Sequence, residues 1–202
     1  MNTEKHISII GAGRSSSALI QYLDQVAAKE NWTLYVSDQN IDLAIERCEG
    51  MNRCKAITFD ALDAVKRREH LKGKNLVISM LPARFHLEVV KDCINMGIHV
   101  ITPSYVTPEI QELDGLAKEK GVLVLNEMGL DPGIDHMSAM KIIHHLQALG
   151  ANVTAFKSFT GGLVAPESDN NPWNYKITWN PRNVVLAGQG GASQFIRNGN
   201  YK

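Results

Sequence analysis

The sequence has no long hydrophobic run and no excess of charge of either sign. No stretch approaches the roughly 18 consecutive apolar residues that a membrane-spanning helix needs. The 21 lysines and arginines equal the 21 aspartates and glutamates, so the formal net charge is zero. Nucleic-acid binding depends on the neutralisation of many phosphates, and a chain without a basic stripe is not typical of it. The composition therefore disfavours both a membrane and a nucleic acid as a partner.

Cysteine is also scarce. The three cysteines, Cys48, Cys54 and Cys93, form neither a Cys-x-x-Cys pair nor a cluster with histidine of the kind that binds a metal. An odd, unpatterned count is typical of a reducing compartment. The polar amino terminus leads directly into a short apolar run, which is not the pattern of a signal peptide. We therefore expect a cytoplasmic protein without a metal site.

Hydrophobic residues make up 44% of the sequence, enough for a sizeable core, and they follow a regular pattern over the first 126 residues. Six short, almost continuously apolar runs predict strands buried on both faces, and the amphipathic stretches between them predict five helices. This alternation predicts an α/β fold with a doubly wound parallel sheet, a Rossmann-type domain over residues 1–126. The predicted strands are 7–10, 33–37, 56–60, 76–79, 99–102 and 122–125, and the predicted helices are 17–29, 41–49, 61–71, 85–96 and 109–120.

The pattern changes after Asn126. A segment rich in glycine, proline and aspartate at 129–136 leads into one further predicted helix over about residues 138–149. A strand-like run at 153–159 and a polar region at 166–181 follow. We therefore expect a second domain to begin at residue 127 and to continue to residue 202.

A glycine-rich turn follows the first predicted strand and opens the first predicted helix. Gly11 permits the tight turn, and Gly13 lets the backbone approach a pyrophosphate that faces the helix N–H groups. Ser16 replaces the third glycine of the fingerprint but is small enough for close packing, and the hydroxyl of Ser15 or Ser16 is able to donate to phosphate. The residues predicted to hold the cofactor here are Gly11, Gly13, Arg14, Ser15 and Ser16.

Asp38 ends the second predicted strand. An acidic residue at this position hydrogen-bonds the adenosine ribose and repels a 2′-phosphate. Gln39 and Asn40 follow, rather than an arginine that would receive such a phosphate. We therefore expect NAD in preference to NADP as the cofactor. The alternative is that Asp38 only caps the next helix.

Two further strand ends are expected to line the cofactor crevice, because ligands of such sheets bind outside the carboxyl ends of the strands. Asp60 closes the third predicted strand, where a helix cap is as good an explanation as a cofactor contact. Ser79, Leu81 and Pro82 close the fourth and are expected to run along the nicotinamide ribose.

Four blocks of residues resemble the saccharopine dehydrogenases of the glutamate-forming type. They are TPSY at 102–105, NEMGLDPGIDH at 126–136, SFTGGLVAPE at 158–167 and NPWNYKITWNPR at 171–182, in the family's order. The GLDPGIDH and SFTGG blocks are specific, whereas the glycine turn alone is not. Family members are much longer, so the resemblance implies an N-terminal fragment whose residues 127–202 begin an inserted α+β substrate domain.

The resemblance also implies a function. Family members are NAD(P)-dependent oxidoreductases of lysine metabolism that oxidise saccharopine to glutamate and α-aminoadipate semialdehyde, and they are often dimeric. Thr160 stands where eukaryotic relatives carry a cysteine, and its hydroxyl is limited to hydrogen bonding. Tyr105 and Asp131 are the candidates for catalysis. The positions that the resemblance assigns to substrate binding are Ser104, Tyr105, Asp131, Thr160 and Arg182.

Other interpretations stay open at this point. Tyr105 is equally explained as a packing aromatic, Asp131 before a proline as a turn residue, and Arg182 as a surface charge. His136, at the start of a helix, is a candidate for proton transfer or simply a first-turn residue. The whole chain also fits a dehydrogenase of another carboxylated secondary amine, such as carboxynorspermidine, or a nucleotide-binding module without catalysis.

Overall fold

The structure is a computed structural model that describes residues 3–159, 164–176, 185 and 194–202. Six parallel strands form a sheet in the order β3-β2-β1-β4-β5-β6. Successive strands are added on one side of β1 up to β3 and on its other side from β4, as in a doubly wound Rossmann fold. The predicted fold class is therefore confirmed. The strands are β1 (Lys5–Ile10), β2 (Trp32–Asp38), β3 (Cys54–Thr58), β4 (Leu76–Ser79), β5 (His99–Ile101) and β6 (Val124–Leu125). The helices are α1 (Ser17–Glu30), α2 (Ile41–Cys48), α3 (Ala64–Leu71), α4 (His86–Met96), α5 (Pro108–Gln111), α6 (Asp114–Glu119) and α7 (Ile134–Ala148).

Two apolar layers cover the two faces of the sheet. Successive strand residues point to opposite faces, so neighbours in the sequence enter different layers. Ile9 and Ile78 pack in one layer with buried residues of α1 and α2. Ile10 and Val77 pack in the other with buried residues of α3 and α4. Burial on both faces is why these strands are continuous apolar runs in the sequence.

The helices that follow β2 and β3 begin at side-chain caps. The Asn40 side chain accepts a hydrogen bond from the Asp42 N–H at the start of α2, and Asp63 accepts from two N–H groups at the start of α3. Asp38 therefore does not cap α2, and Asp60 does not cap α3. The helix-cap explanation fails for both residues.

Three predicted elements differ most from the structure. The helix predicted over 109–120 is two short helices, α5 and α6, and the last predicted helix begins at Ile134 rather than at 138. The strand predicted over 153–159 is wrong, because these residues have no regular structure and most of them are exposed. An apolar run forms a strand only where a neighbour completes its hydrogen bonds, and no strand of the described part of the chain pairs with it.

The chain divides into two compact units, Met1–Val153 and Thr154–Lys202. The first contains the sheet and α7, so the domain boundary expected at residue 126 stays a prediction. The second contains a 3-10 turn at Pro166–Ser168 and a short hairpin of β7 (Ile196–Arg197) and β8 (Asn200–Tyr201). Within the described ranges, none of the helices has the length and apolar character to cross a membrane.

Cys48 and Cys54 are joined by a disulfide, which the sequence analysis does not predict. Cys48 ends α2 and Cys54 begins β3, and the turn between them brings their Cα atoms to 5.3 Å. Cys93 is a buried free thiol, and burial, together with the Asp92 carboxylate, raises its pKa to about 12. A disulfide is not typical of a reducing compartment, so the cysteines no longer support a cytoplasmic location.

Candidate active site

The glycine turn after β1 has one position that only glycine fits and one that is open to a ligand. Gly11 has a φ of +109°, and a Cβ added to it would lie 3.0 Å from the Met80 carbonyl oxygen. Gly13 has an extended backbone, and a Cβ added to it would meet no atom within 4 Å. The space beside Gly13 is therefore empty, as the approach of a pyrophosphate to this backbone requires.

The side chains that follow the glycines differ in direction. Ser16 is 1% exposed, and its hydroxyl donates to the Gly13 carbonyl at 2.8 Å. This hydroxyl closes the turn, and the expectation that it donates to a phosphate does not fit its geometry. Arg14 and Ser15 are both exposed beside the turn.

Asp38 connects the end of β2 to the glycine turn. Its Oδ2 accepts a hydrogen bond from the Ala12 N–H at 2.9 Å, and its Oδ1 accepts from the Asn40 N–H at 3.0 Å. The carboxylate is therefore held by backbone groups at the carboxyl edge of the sheet. It lines a crevice of about 350 Å³ whose other lining residues include Gly11, Gln39, Phe59, Leu81, Pro82 and Arg84.

Two other residues, Asp60 and Arg84, lie near this crevice. Asp60 contacts it indirectly, because its Oδ1 accepts from the Gln39 side-chain amide at 2.7 Å. Arg84 was missed, although it lines the crevice, and its guanidinium carbon lies 4.5 Å from the Phe85 ring centre. A basic residue just after a strand end on the ligand side is the sequence signal that identifies it.

Ser79 was expected to line the crevice, but its side chain points into the interior instead. It is 0% exposed, and its hydroxyl lies 2.9 Å from Nδ1 of His86. Nε2 of the same ring lies 2.9 Å from the hydroxyl of Ser104. His86 was also missed, and it connects the end of β4 to the loop after β5.

The predicted substrate residues Ser104, Tyr105 and Asp131 come together at the carboxyl ends of β5 and β6. The Tyr105 hydroxyl donates to Asp131 Oδ1 at 2.7 Å. This hydrogen bond, with smaller contributions from burial and nearby carboxylates, raises the pKa of Tyr105 above its ordinary value. Tyr105 is 59% exposed, so a packing role does not explain it. The pair presents a protonated phenol and a carboxylate to the solvent side.

The loops that carry this pair are tied together by the backbone. The Glu127 N–H donates to the Ser104 carbonyl at 3.0 Å, and the Glu127 carboxylate accepts from the Val106 N–H at 3.1 Å. Gly133, which precedes α7, has a φ of +148°, and a Cβ there would lie 2.2 Å from the Gly129 carbonyl oxygen. The segment between β6 and α7 therefore has little freedom to move away from the loop after β5.

Asp135 and His136 lie in the first turn of α7. Burial alone would raise the pKa of Asp135, but hydrogen bonds from the His136 backbone and ring lower it below the ordinary value. Ligand atoms of Asp131, Asp135 and His136 lie within 4.8 Å of one another, which is a spacing that a cation tolerates. These side chains are solvent-accessible and already hydrogen-bonded to protein partners, so we assign no metal to them.

Thr160 and Arg182 lie outside the described residues. The structure therefore gives no position for these two predicted substrate residues. The described part of the site consists of the glycine turn, the crevice at Asp38, and the cluster at Tyr105 and Asp131.

Comparisons with known proteins identify the family to which the chain is similar. Residues 7–125 match the family model of the saccharopine dehydrogenase NADP binding domain, and residues 129–202 match that of the saccharopine dehydrogenase C-terminal domain. A saccharopine dehydrogenase [NADP(+), L-glutamate-forming] from Pyricularia oryzae is 37% identical over 195 residues, which is 96% of this chain and 42% of the relative. A mitochondrial α-aminoadipic semialdehyde synthase from Mus musculus is 33% identical over 92% of this chain and 20% of the relative.

A solved structure supports the same relationship. Apo saccharopine dehydrogenase (L-Glu forming) from Saccharomyces cerevisiae matches with a TM-score of 0.82 and 34% identity, covering 98% of this chain and 43% of that chain. The chain thus spans less than half the length of these relatives. The two family models together extend over residues 7–202, with a gap of three residues at 126–128. The chain belongs to the saccharopine dehydrogenase family.

Proposed function

We propose that this protein is a nicotinamide-dependent oxidoreductase that oxidises saccharopine to glutamate and α-aminoadipate semialdehyde, a reaction of lysine metabolism. The observation that carries the proposal is the hydrogen-bonded pair of Tyr105 and Asp131, with Ser104 beside it, on the sheet edge that also carries the glycine turn. The chain matches only 42% of the length of the Pyricularia oryzae relative, whose name states this activity. Activity and substrate are therefore proposals for the whole protein.

The cofactor proposed is NAD, in preference to NADP. The open space at Gly13 fits a pyrophosphate, and the Asp38 carboxylate at the end of β2 repels a 2′-phosphate. When bound, the cofactor accepts the hydride. The relatives' names specify NADP, and Arg84 provides a cation in the same crevice. Separate titrations with NADH and NADPH test the preference, and tighter NADPH binding contradicts it.

The contacts proposed for the cofactor follow the sheet edge. Gly11, Gly13, Arg14 and Ser15 surround the pyrophosphate, and Asp38 binds the adenosine ribose. Leu81 and Pro82 line the nicotinamide side of the crevice, with Asp60 acting through Gln39. Ser16 and Ser79 contribute through packing and internal hydrogen bonds rather than by direct contact.

The residues of the pair have distinct roles in this proposal. Loss of hydride from a secondary amine makes the substrate nitrogen positive, and the Asp131 carboxylate stabilises that developing charge. Tyr105 stays protonated, because its hydrogen bond to Asp131 raises the pKa of the phenol, and it holds the carboxylate in position. Water then adds to the imine carbon, and collapse of the adduct releases glutamate and the aldehyde. Ser104, Thr160 and Arg182 bind the substrate carboxylates.

The experiment is nicotinamide absorbance with saccharopine, using the protein expressed with any coding sequence that continues beyond residue 202. We expect reduction of the cofactor. Asp131→Asn is expected to lower kcat by about 100-fold or more, and Tyr105→Phe to lower kcat/KM by about tenfold to 100-fold. Cofactor affinity is expected to stay close to that of the original protein. Tyr22→Phe, an exposed tyrosine on α1, is the matched control and leaves both constants unchanged.

Three results contradict the proposal in different ways. Turnover of carboxynorspermidine without turnover of saccharopine identifies a dehydrogenase of another carboxylated secondary amine. Cofactor binding without reduction by either amine identifies a nucleotide-binding module. Loss of cofactor binding in Tyr105→Phe shows that the pair lies on the cofactor side of the crevice instead.

Location and assembly are further parts of the proposal. We propose a cytoplasmic protein, for which the Cys48–Cys54 disulfide provides a direct test. If the protein is cytoplasmic, alkylation of cells should find Cys48 and Cys54 as thiols, since the cytoplasm keeps cysteines reduced. An intact disulfide in cells contradicts the cytoplasmic location. We also propose a homodimer, which the resemblance to the family implies. Light scattering tests it, and a monomer at micromolar concentration contradicts it.

A further inference from the structure

His86 is a buried histidine that lies between two serine hydroxyls. It is 1% exposed and is the first residue of α4. Its Nδ1 lies 2.9 Å from the hydroxyl of Ser79 at the end of β4, and its Nε2 lies 2.9 Å from the hydroxyl of Ser104 after β5. The ring therefore connects the interior of the sheet to a side chain of the proposed substrate site.

The ring is neutral in ordinary conditions. Burial lowers the pKa of His86 to about 4. A neutral imidazole has one N–H donor and one nitrogen that accepts. One serine must therefore donate to the ring, and the other must accept from it.

The surroundings of Ser79 decide the direction. Ser79 is 0% exposed, and within the described residues its hydroxyl has the His86 ring as its hydrogen-bond partner. If Nδ1 carried the proton, the Ser79 hydroxyl would accept it and leave its own hydrogen buried without an acceptor, which is unfavourable. The Ser79 hydroxyl therefore donates to Nδ1, and the ring proton lies on Nε2.

The consequence reaches Ser104. Nε2–H donates to the Ser104 oxygen, so the hydrogen of that hydroxyl is left for a ligand. Ser104 is partly exposed, and its neighbour Tyr105 lies at the proposed substrate site. The opposite proton position would make Ser104 a donor to the ring and leave only its oxygen for the ligand, which suits an ammonium group rather than a carboxylate.

We infer that His86 is a positioning residue that, with Ser79, makes the Ser104 hydroxyl a hydrogen-bond donor for a carboxylate oxygen of the substrate. The inference rests on the proposed function only in the identity of that ligand. The direction of the hydrogen bonds is a property of the chain itself. The two parts are therefore tested by separate measurements.

The first measurement determines the position of the ring proton without any substrate. Long-range ¹⁵N–¹H correlation spectra of the chain distinguish a protonated from an unprotonated ring nitrogen. We expect His86 to carry its proton on Nε2, and we expect Ser79→Ala to reduce that preference. A proton on Nδ1 of the original protein overturns the inference.

Ser8→Ala is the matched control for Ser79→Ala. Ser8 is also a strand serine with 0% exposure, and its hydroxyl lies 2.7 Å from Nε2 of a partly buried histidine, His70. The substitution removes the same kind of hydrogen bond without touching the network of His86. We expect it to change neither the His86 spectrum nor the KM for the substrate. A change in either argues against the assigned hydrogen bonds from Ser79 through His86 to Ser104.

The second measurement is a double-mutant cycle in the active protein. His86→Leu and Ser104→Ala are each expected to raise the KM for the amine substrate by about tenfold with little change in cofactor affinity. Because His86 acts through Ser104, the double variant should be no worse than Ser104→Ala alone. If the double variant raises KM by the product of the two single effects, the inference is overturned.

A conservative variant keeps the test valid if His86→Leu does not fold. His86→Gln retains an amide N–H able to donate to Ser104, and we expect it to recover most of the lost affinity. A KM as high as that of Ser104→Ala, in a folded His86→Gln protein with the original cofactor affinity, contradicts the positioning role. An unchanged KM in Ser104→Ala excludes a contact between Ser104 and the substrate. The spectrum still decides the position of the His86 ring proton, so the two parts of the inference fail separately.

Discussion

The two glycines of the turn after β1 show how differently one residue type acts at neighbouring positions. Gly11 is required by its positive φ and by the Met80 carbonyl oxygen, which leaves no room for a Cβ. Gly13 satisfies neither condition, since its φ is −68° and its surroundings are open. Gly11 is therefore required for the fold, whereas Gly13 leaves space for the proposed pyrophosphate.

This contrast predicts opposite outcomes for two alanine variants. Gly11→Ala is expected to lower the free energy of unfolding by about 1–3 kcal/mol, because alanine is strained at positive φ and close to a backbone oxygen. Gly13→Ala should leave stability within about 0.5 kcal/mol but weaken NADH binding, because its Cβ enters the pyrophosphate space. Urea unfolding and NADH titration of both variants measure this. A stable Gly11→Ala protein would contradict the geometry at Met80.

Asp38 combines a structural and a recognition role. Its two oxygens hold the Ala12 and Asn40 N–H groups, and its charge faces the crevice. We expect Asp38→Asn to keep one of these acceptors and to raise NADPH affinity relative to NADH by about tenfold or more, because the repulsion of a 2′-phosphate is removed. Competitive titration with both cofactors measures the ratio. An unchanged ratio means that Asp38 holds the turn only.

At the scale of elements, a buried ion pair connects α3 to α4 beside the crevice. Arg67 donates from Nε to Asp92 at 2.7 Å and from its guanidinium to the Ala61 carbonyl at 2.7 Å. Both charged residues are buried, at 3% and 8% exposure. Since Ala61 lines the crevice, this pair also determines the position of the loop after β3.

Removal of one partner should therefore be strongly destabilising. Arg67→Met is expected to lower the free energy of unfolding by about 3 kcal/mol, because it leaves a buried carboxylate without its main partner. Arg67→Met combined with Asp92→Leu should recover most of this loss. Asp114→Asn, in an exposed pair with Lys118 on α6, is the control and should change stability by less than about 1 kcal/mol. Equal effects of the buried and exposed variants would contradict the role of Arg67.

At the scale of the whole molecule, one buried and one partly buried histidine connect folding to pH. Burial lowers the pKa values of His70 and His86 from 6.5 to about 4, with a smaller contribution from Lys74 at His70. The unfolded chain takes up these protons below about pH 6.5, whereas the folded chain takes them up only near pH 4. Acidification across this window therefore favours unfolding.

The expected loss of stability is measurable. His86 alone is expected to remove about 3 kcal/mol between pH 6.5 and pH 4, with little further loss below that. Urea midpoints measured across this range should fall with pH, and His86→Gln should make the fall shallower. His145→Gln, an exposed histidine on α7, should leave the curve unchanged. A stability that is flat between pH 6.5 and pH 4 would contradict the neutral, buried state of His86.

The sequence by itself determined the sheet, because strands buried on both faces are continuous apolar runs whatever their partners are. It also determined the glycine turn, and it placed Ser104, Tyr105 and Asp131 after the ends of predicted strands, which a parallel sheet brings to one edge. Only the tertiary structure decided which hydroxyls are buried. Ser16 and Ser79 face inward, and His86 enters the site through contacts between residues far apart in the chain. Such contacts depend on how helices pack on the sheet, which local patterns do not specify.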